Sequence, residues 1–168
     1  MSISREVLAK YIKPGCQVIE TGARWGMTAI KASDLGAGDY LGCETSERHK
    51  AIAMEMLAEV LARSQMTFYI SKKDSVQLLG NIVNQVRTPV HTVVFLDAHT
   101  EKHSPVLDEL ECISKWDPLP DVILIDDLRC MPAWNISSSS LRQILEWMGY
   151  RIGSEHGIEP NDIMVAQL

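Results

Sequence analysis

The chain predicts an α/β fold, an open, doubly wound sheet of seven mostly parallel strands that ends in an antiparallel hairpin. Three observations predict it. Short apolar, β-branched runs alternate with longer stretches whose apolar residues recur at helical spacing. The runs His91–Asp97 and Asp121–Asp126 are apolar at nearly every interior position, as central strands covered by helices on both faces must be. The last two strand-like runs flank a turn through Gly157 and Pro160, which makes them a hairpin.

Taken in order, an opening helix from Ser4 to Lys13 puts Val7, Leu8, Tyr11 and Ile12 on one face and stops at Pro14-Gly15. Strand one is Cys16 to Glu20. The turn Thr21-Gly22-Ala23-Arg24-Trp25-Gly26 leads into a helix reaching Leu35, and Gly36-Ala37-Gly38-Asp39 breaks it before strand two, Tyr40 to Glu44. Ser46 is a good N-cap for a helix to Arg63. Strand three is Met66 to Ser71, the next helix Ser75 to Val86, and strand four His91 to Asp97. Ser104 and Pro105 supply an N-cap and a first-turn proline for a helix reaching Trp116. Strand five is Asp121 to Asp126. The serines 137 to 140 mark the start of a helix carrying Leu141, Ile144, Leu145 and Met148, and the hairpin strands are Tyr150 to Ser154 and Asp162 to Gln167. With no internal repeat and no linker, residues 1 to 168 read as one domain.

Composition narrows the function classes. A chain of 168 residues with 46% hydrophobic and 23% charged residues is ordinary for a globular domain, which excludes disordered, collagenous and miniprotein classes. A domain of this size buries roughly 70% of its unfolded surface and needs no disulfide or structural metal. No apolar run approaches the ~18 residues of a membrane span, and the first residues lack the apolar block of a signal peptide. A cytoplasmic protein without a membrane partner is the expectation. The net charge of −6 and pI of about 5.3, without a basic patch, oppose nucleic acid as a partner. The four cysteines are far apart and form no CxxC pair, so they read as reduced, buried thiols.

Doubly wound sheets bind ligands at the carboxyl ends of their strands, near the point where strand order reverses. After strand one, Gly22 allows a tight turn and Gly26, at the start of the helix, allows a ligand to approach free N–H groups. The GxxxG spacing lacks the middle glycine of the dinucleotide fingerprint and disfavours a pyrophosphate, although an ordinary βα turn would read the same way. Glu44 closes strand two about twenty residues after that turn, where a carboxylate can accept both hydroxyls of a ribose. It could equally be a solvated residue ahead of the helix at Ser46. Asp74 and Ser75, beside the same crevice, either contact an adenine or form a serine N-cap with its neighbour.

The fourth and fifth strand ends read Leu96-Asp97-Ala98-His99 and Ile125-Asp126-Asp127. Three carboxylates at one mouth repel one another unless protons or a cation intervene, and an all-oxygen site suits a hard ion such as magnesium. Alternatively, Asp126 and Asp127 cap N–H groups of the following loop. A neutral His99 could take a proton from an acceptor hydroxyl, as could Asp97 when it is not a ligand, or His99 could be a solvated loop histidine; His103 is the weaker candidate. The loop from Arg129 to Asn135 would overhang the crevice, with Trp134 either a wall of an acceptor site or a core residue, and Trp25 has the same two readings. The eight methionines read as core packing, and Glu47-Arg48-His49-Lys50 as a solvated first helical turn.

These residues together resemble the class I S-adenosylmethionine-dependent methyltransferases, a Rossmann-like family with an acidic-x-Gly-x-x-x-Gly turn after strand one and an acidic residue ending strand two. Here those are Glu20, in place of the commoner Asp, with Gly22, Gly26 and Glu44. The resemblance implies a cofactor site of Glu20, Gly22, Ala23, Arg24, Gly26, Glu44, Asp74, Ser75 and Asp97. In it the glycine turn approaches the methionine moiety, Glu20 lies near its ammonium group and Glu44 holds the ribose. The aspartates after strands four and five also resemble the metal-dependent sugar O-methyltransferases of the macrocin type. That likeness implies magnesium on Asp97, Asp126 and Asp127, held against hydroxyls of the acceptor.

The expected function is therefore S-adenosylmethionine-dependent O-methylation of a small molecule or sugar hydroxyl, assisted by magnesium, with Asp97 or His99 as the base. Two other readings stay open. One is a non-catalytic nucleoside-binding module acting through a partner, suggested by the absence of the lid segments of macrocin-type enzymes. The other is a nicotinamide-dependent oxidoreductase, which the missing GxGxxG weakens. In a homodimer, a second copy would supply the missing wall.

Overall fold

The computed structural model describes residues 3–82 and 90–168. Its elements in chain order are α1 (Arg5–Leu8), β1 (Gln17–Thr21), α2 (Met27–Asp34), β2 (Asp39–Cys43), α3 (Glu47–Leu61), β3 (Thr67–Ser71) and α4 (Ser75–Ile82). Then follow β4 (Thr92–Leu96), α5 (Val106–Ile113), β5 (Val122–Ile125), a 3-10 helix (Leu128–Trp134), α6 (Ser138–Trp147), β6 (Arg151–Glu155) and β7 (Ile163–Gln167). The seven strands form one sheet in the order β3-β2-β1-β4-β5-β7-β6. β7 runs antiparallel to both of its neighbours, and every other pairing is parallel.

Alternation along each strand divides the side chains between two cores. Val18, Val93, Phe95, Val122 and Leu124 point to the side covered by Leu8, Ala29, Ala53 and Leu57 of α1, α2 and α3. Ile19, Val94, Leu96, Ile123 and Ile125 point to the other side, under Leu79, Leu110, Leu141 and Leu145 of α4, α5 and α6. β1, β4 and β5 are buried at every position; β4 and β5 are accordingly almost wholly apolar, whereas β1 buries Gln17, Glu20 and Thr21. The chain lays β2 and β3 to one side of β1, then β4 and β5 to the other. The carboxyl ends of β1 and β4 are thus the switch point of the sheet.

Some boundaries differ from those the sequence predicts. The opening helix is one turn long, because after Leu8 the N–H groups of Lys10 and Tyr11 bond three residues back, to Val7 and Leu8 (3.1 and 3.0 Å), and the chain winds on as turns. Its apolar set stays intact, with Val7, Leu8, Tyr11 and Ile12 all buried. Glu44 lies just past β2, although its N–H still reaches the Ser71 carbonyl at 3.0 Å. α5 begins at Val106, whose N–H meets Ser104 Oγ at 3.4 Å, so Ser104 supplies the capping atom from one position further out. The stretch after β5, predicted as a loop, is the 3-10 helix. The predicted end of the Ser75 helix at Val86 lies outside the described residues. All four cysteines are free thiols; Cys16 and Cys43 are buried, Cys112 and Cys130 partly exposed. Among the described residues no helix is long and apolar enough to cross a membrane.

Phe95 is fully buried in β4 at the centre of the first core. Phe95→Ala is expected to cost about 3–5 kcal/mol in urea unfolding, with the slope of the transition unchanged.

Candidate functional site

The turn after β1 is built against the end of β4. Gly22 adopts φ +74°, and a Cβ there would lie 2.6 Å from the Asp97 carbonyl oxygen. Only a residue without a side chain lets the two backbones come this close. The Asp97 N–H is bonded to the carbonyl and to the hydroxyl of Thr21, both at 3.2 Å, which locks the two strand ends together. Gly26 also has φ +74°, but a Cβ there would meet Leu57 Cδ1 of α3 at 2.9 Å. Its first service is therefore helix packing. The buried Ala23 donates its N–H to the Cys43 carbonyl at 2.8 Å.

Glu44 ties this turn to the next one. Its Oε2 accepts the Arg24 N–H at 3.0 Å and its Oε1 the Ser46 N–H at 2.7 Å. It is buried rather than solvated, and each oxygen keeps a further lone pair for a hydroxyl. Arg24, held at φ 46°, lays its guanidinium 4.5 Å over the exposed Trp25 ring, whose edge-to-face neighbour is His49. After β3, the residue that caps α4 is Asp74, whose Oδ1 accepts the Gln77 N–H at 2.8 Å; the predicted serine cap, Ser75, is instead buried.

On the other side of β1, Glu20 is 2% exposed, with the Tyr40 hydroxyl hydrogen-bonded to its carboxylate. Burial pushes its pKa up to about 7, against the pull of neighbouring hydroxyls and Lys31. Asp97 is held well above the usual carboxylate range by desolvation, then by repulsion from Asp126, Glu20 and Asp127. Asp126 is raised to about 6, again mainly by burial, although it accepts the Asp127 N–H at 2.8 Å. Asp127 is lowered. Its Oδ2 lies 2.7 Å from His99 Nε2 and its Oδ1 2.6 Å from Arg129 Nη2, two donors that favour its charged form.

The predicted magnesium ligands Asp97, Asp126 and Asp127 are divided between two clusters that share Asp127. In one, Asp97, His99 and Asp127 bring ligand atoms within 4.8 Å of one another; in the other, Asp126, Asp127 and Asp162 do so. Arg129 already supplies a cation to the second by pairing with both Asp127 and Asp162. The first offers one nitrogen and two oxygens, a donor set less suited to magnesium than oxygens alone. Asp126 also does what the capping alternative foresaw, binding a loop N–H. His99 lies against Trp134, ring centroids 5.0 Å apart, and Trp134 Nε1 bonds the Glu101 carbonyl at 3.4 Å. Trp134 is thus partly buried against the second core, as the core alternative has it, with its ring beside His99, while His103 is exposed.

The structure adds three residues that the sequence does not single out: Thr21, which reads as part of a turn, Arg129, as part of a loop, and Asp162, as a strand residue. An acidic residue at the head of an apolar strand is the available signal for Asp162.

No model of a protein family matches the chain, and no curated protein does. Solved structures do. A magnesium protoporphyrin IX methyltransferase from Synechocystis PCC 6803 with bound SAM aligns with a TM-score of 0.64 at 19% identity, over 97% of this chain and 77% of that one. An O-methyltransferase from Bacillus cereus in complex with SAH gives 0.63 at 16%, over 98% and 78%. A ribosomal protein L11 methylase from Lactobacillus delbrueckii subsp. bulgaricus gives 0.56 at 17%, over 96% and 74%. At these identities the likeness is one of fold, the Rossmann-like fold of these methyltransferases.

Because Glu20 carries a raised folded-state pKa, the native protein binds its proton more tightly than the unfolded chain does. Its contribution to stability therefore falls as pH rises from about 5 to about 8. Glu20→Gln removes this loss. Its melting temperature relative to the unsubstituted protein is expected to increase steadily across that range in calorimetric scans.

Proposed function

We propose that this chain binds S-adenosylmethionine at the mouth formed by the ends of β1, β2 and β4 and transfers its methyl group to the hydroxyl oxygen of a small molecule. One observation carries this reading. The glycine turn rests on Asp97, so a ligand held by the turn lies beside the Asp97, His99 and Asp127 cluster. The fold shared with structures solved with SAM and SAH supports the same cofactor.

The charge of the mouth fits that cofactor. Desolvation, and after it repulsion from Asp126, Glu20 and Asp127, holds the Asp97 pKa well above the usual carboxylate range, and such a mouth favours a ligand bearing a sulfonium and an ammonium group. Glu44, fixed by two main-chain N–H groups, has lone pairs left for ribose hydroxyls. The cofactor, when bound, supplies a methyl group activated for attack by an oxygen nucleophile.

The remaining chemistry belongs to the protein. His99 Nε2 faces the carboxylate of Asp127, so a neutral imidazole keeps its proton on Nε2 and its lone pair on Nδ1. Nδ1 is then the atom that takes the hydroxyl proton of the acceptor as its oxygen forms the new bond to carbon. Asp127 holds the tautomer and stabilises the imidazolium, and Arg129 fixes Asp127 from the other side. Trp134, its ring tilted against that of His99, gives the acceptor a flat wall.

A second reading, with a divalent cation as assistant, is favoured by the convergence of Asp97, His99 and Asp127. Those residues would hold the ion, and its charge would lower the pKa of the acceptor hydroxyl. A net charge of −6 makes a polyphosphate acceptor unfavourable, which is why the proposed acceptor is a small hydroxyl compound.

Calorimetric titration with SAM, SAH and NAD, followed by turnover on a hydroxyl-compound library with and without EDTA, tests the proposal. SAM and SAH are expected to bind in the micromolar range and NAD not at all. His99→Ala is expected to lower turnover by about 10²–10⁴-fold while SAH affinity changes little. Binding of NAD without either sulfur nucleoside refutes the proposal, and turnover abolished by EDTA and restored by a divalent ion selects the second reading.

A further inference from the structure

The run Glu47-Arg48-His49-Lys50 reads from the sequence as a solvated first turn of α3, and Glu47 fits that reading by pairing with Lys72 at the surface. His49 departs from it. Its ring meets that of Trp25, in the glycine turn, edge to face, with centroids 6.3 Å apart and planes at 87°. Its Nδ1 lies 4.0 Å from Glu44 Oε2.

Two sets of bonds fix that separation. The His49 N–H bonds Ser46 Oγ at 3.3 Å while the Ser46 N–H bonds Glu44 Oε1 at 2.7 Å, so one serine spaces the histidine from the carboxylate. From the glycine turn, the Arg24 N–H bonds Glu44 Oε2 at 3.0 Å, and the Arg24 guanidinium lies 4.5 Å over the Trp25 ring that abuts His49. The imidazole and the carboxylate are thus held by the same two turns.

A separation of 4.0 Å is too long for a direct hydrogen bond, but it is what a single oxygen between the two atoms requires, at about 2.8 Å from each. A hydroxyl seated there donates to Glu44 Oε2, which keeps a lone pair after the Arg24 contact, and accepts from His49 Nδ1–H. The carboxylate reads only the hydrogen of such a group. Adding the imidazole reads its oxygen as well.

We infer that His49 is a cofactor-binding residue, which contacts one of the two ribose hydroxyls as a donor while Glu44 accepts from the same hydroxyl. This rests on the proposed cofactor reading and deepens it, because it brings α3 into a site otherwise built from strand ends. It also gives a use to Trp25, which is 43% exposed and sets the ring of His49.

The affinities of SAH and of its 2′-deoxy and 3′-deoxy analogues, read from NMR titrations that reach the millimolar range, test the inference. His49→Phe keeps a ring against Trp25 and removes the nitrogen. It is expected to weaken SAH about tenfold, and equally the analogue that retains the contacted hydroxyl, while the other analogue changes by less than about threefold. His49→Asn has a side-chain nitrogen as many bonds from Cα as Nδ1. It is expected to bind SAH within about threefold of the unsubstituted protein.

A His49→Phe protein that binds SAH as tightly as the unsubstituted one overturns the assignment. Equal losses with all three ligands also overturn it, since the ring would then act through packing alone. So does a His49→Asn protein as impaired as His49→Phe. If the unsubstituted protein binds none of the three ligands, the cofactor reading itself fails and the His49 contact falls with it, a result distinct from the other three.

Discussion

The closeness of two backbones, at Gly22 and Asp97, is the constraint on which the rest of the site depends. A side chain at residue 22 would overlap the Asp97 carbonyl, and the Asp97 N–H is spent on Thr21. These contacts form at the one place where a doubly wound sheet opens, between β1 and β4. Because the turn after β1 cannot drift from the end of β4, whatever the turn holds is delivered to Asp97 and, through it, to His99 and Asp127. In the proposed reading, a tight βα turn, common in itself, couples the cofactor's cradle to the proton-handling groups.

Charge is the second organising element. Glu20 and Asp126 are buried carboxyls and Asp97 a partly buried one; the pKa values of all three are raised, and they are crowded rather than neutralised one by one. Glu44 and Asp127 are treated differently. The first is satisfied by main-chain N–H groups, and the second by His99 and Arg129, which favour its charged form. The site thus separates carboxyls that gain from a cationic ligand from those that orient a neighbour. Burying several acids costs stability, and concentrating that cost at a mouth rather than in the two cores is the pattern of a site that trades stability for binding.

Much of this was legible in the sequence. Periodicity marked all seven strands, because the buried strands β4 and β5 leave no polar alternation and the hairpin is bounded by Gly157 and Pro160. Ser46 declared its helix by its capping chemistry. Less legible was everything decided by contacts between residues far apart in the chain. Nothing local reveals that Arg129 lies between Asp127 and Asp162, dividing the expected magnesium ligands into two clusters. Nothing local reveals that the second glycine of the turn makes room for Leu57. The opening helix ended early for a similar reason. Its apolar face is a matter of burial, which turns serve as well as helix does.

The central claim, that the mouth between β1, β2 and β4 is where the nucleoside binds, is tested most directly by mapping amide chemical shifts while SAH is added to the isotopically labelled protein. The account predicts that the largest changes fall on residues 22–26, 44–46 and 97–99, with Gly36 and Gly38 at the opposite end of the sheet unmoved. Saturable changes centred on Gly36 and Gly38, or none anywhere at millimolar SAH, would contradict it.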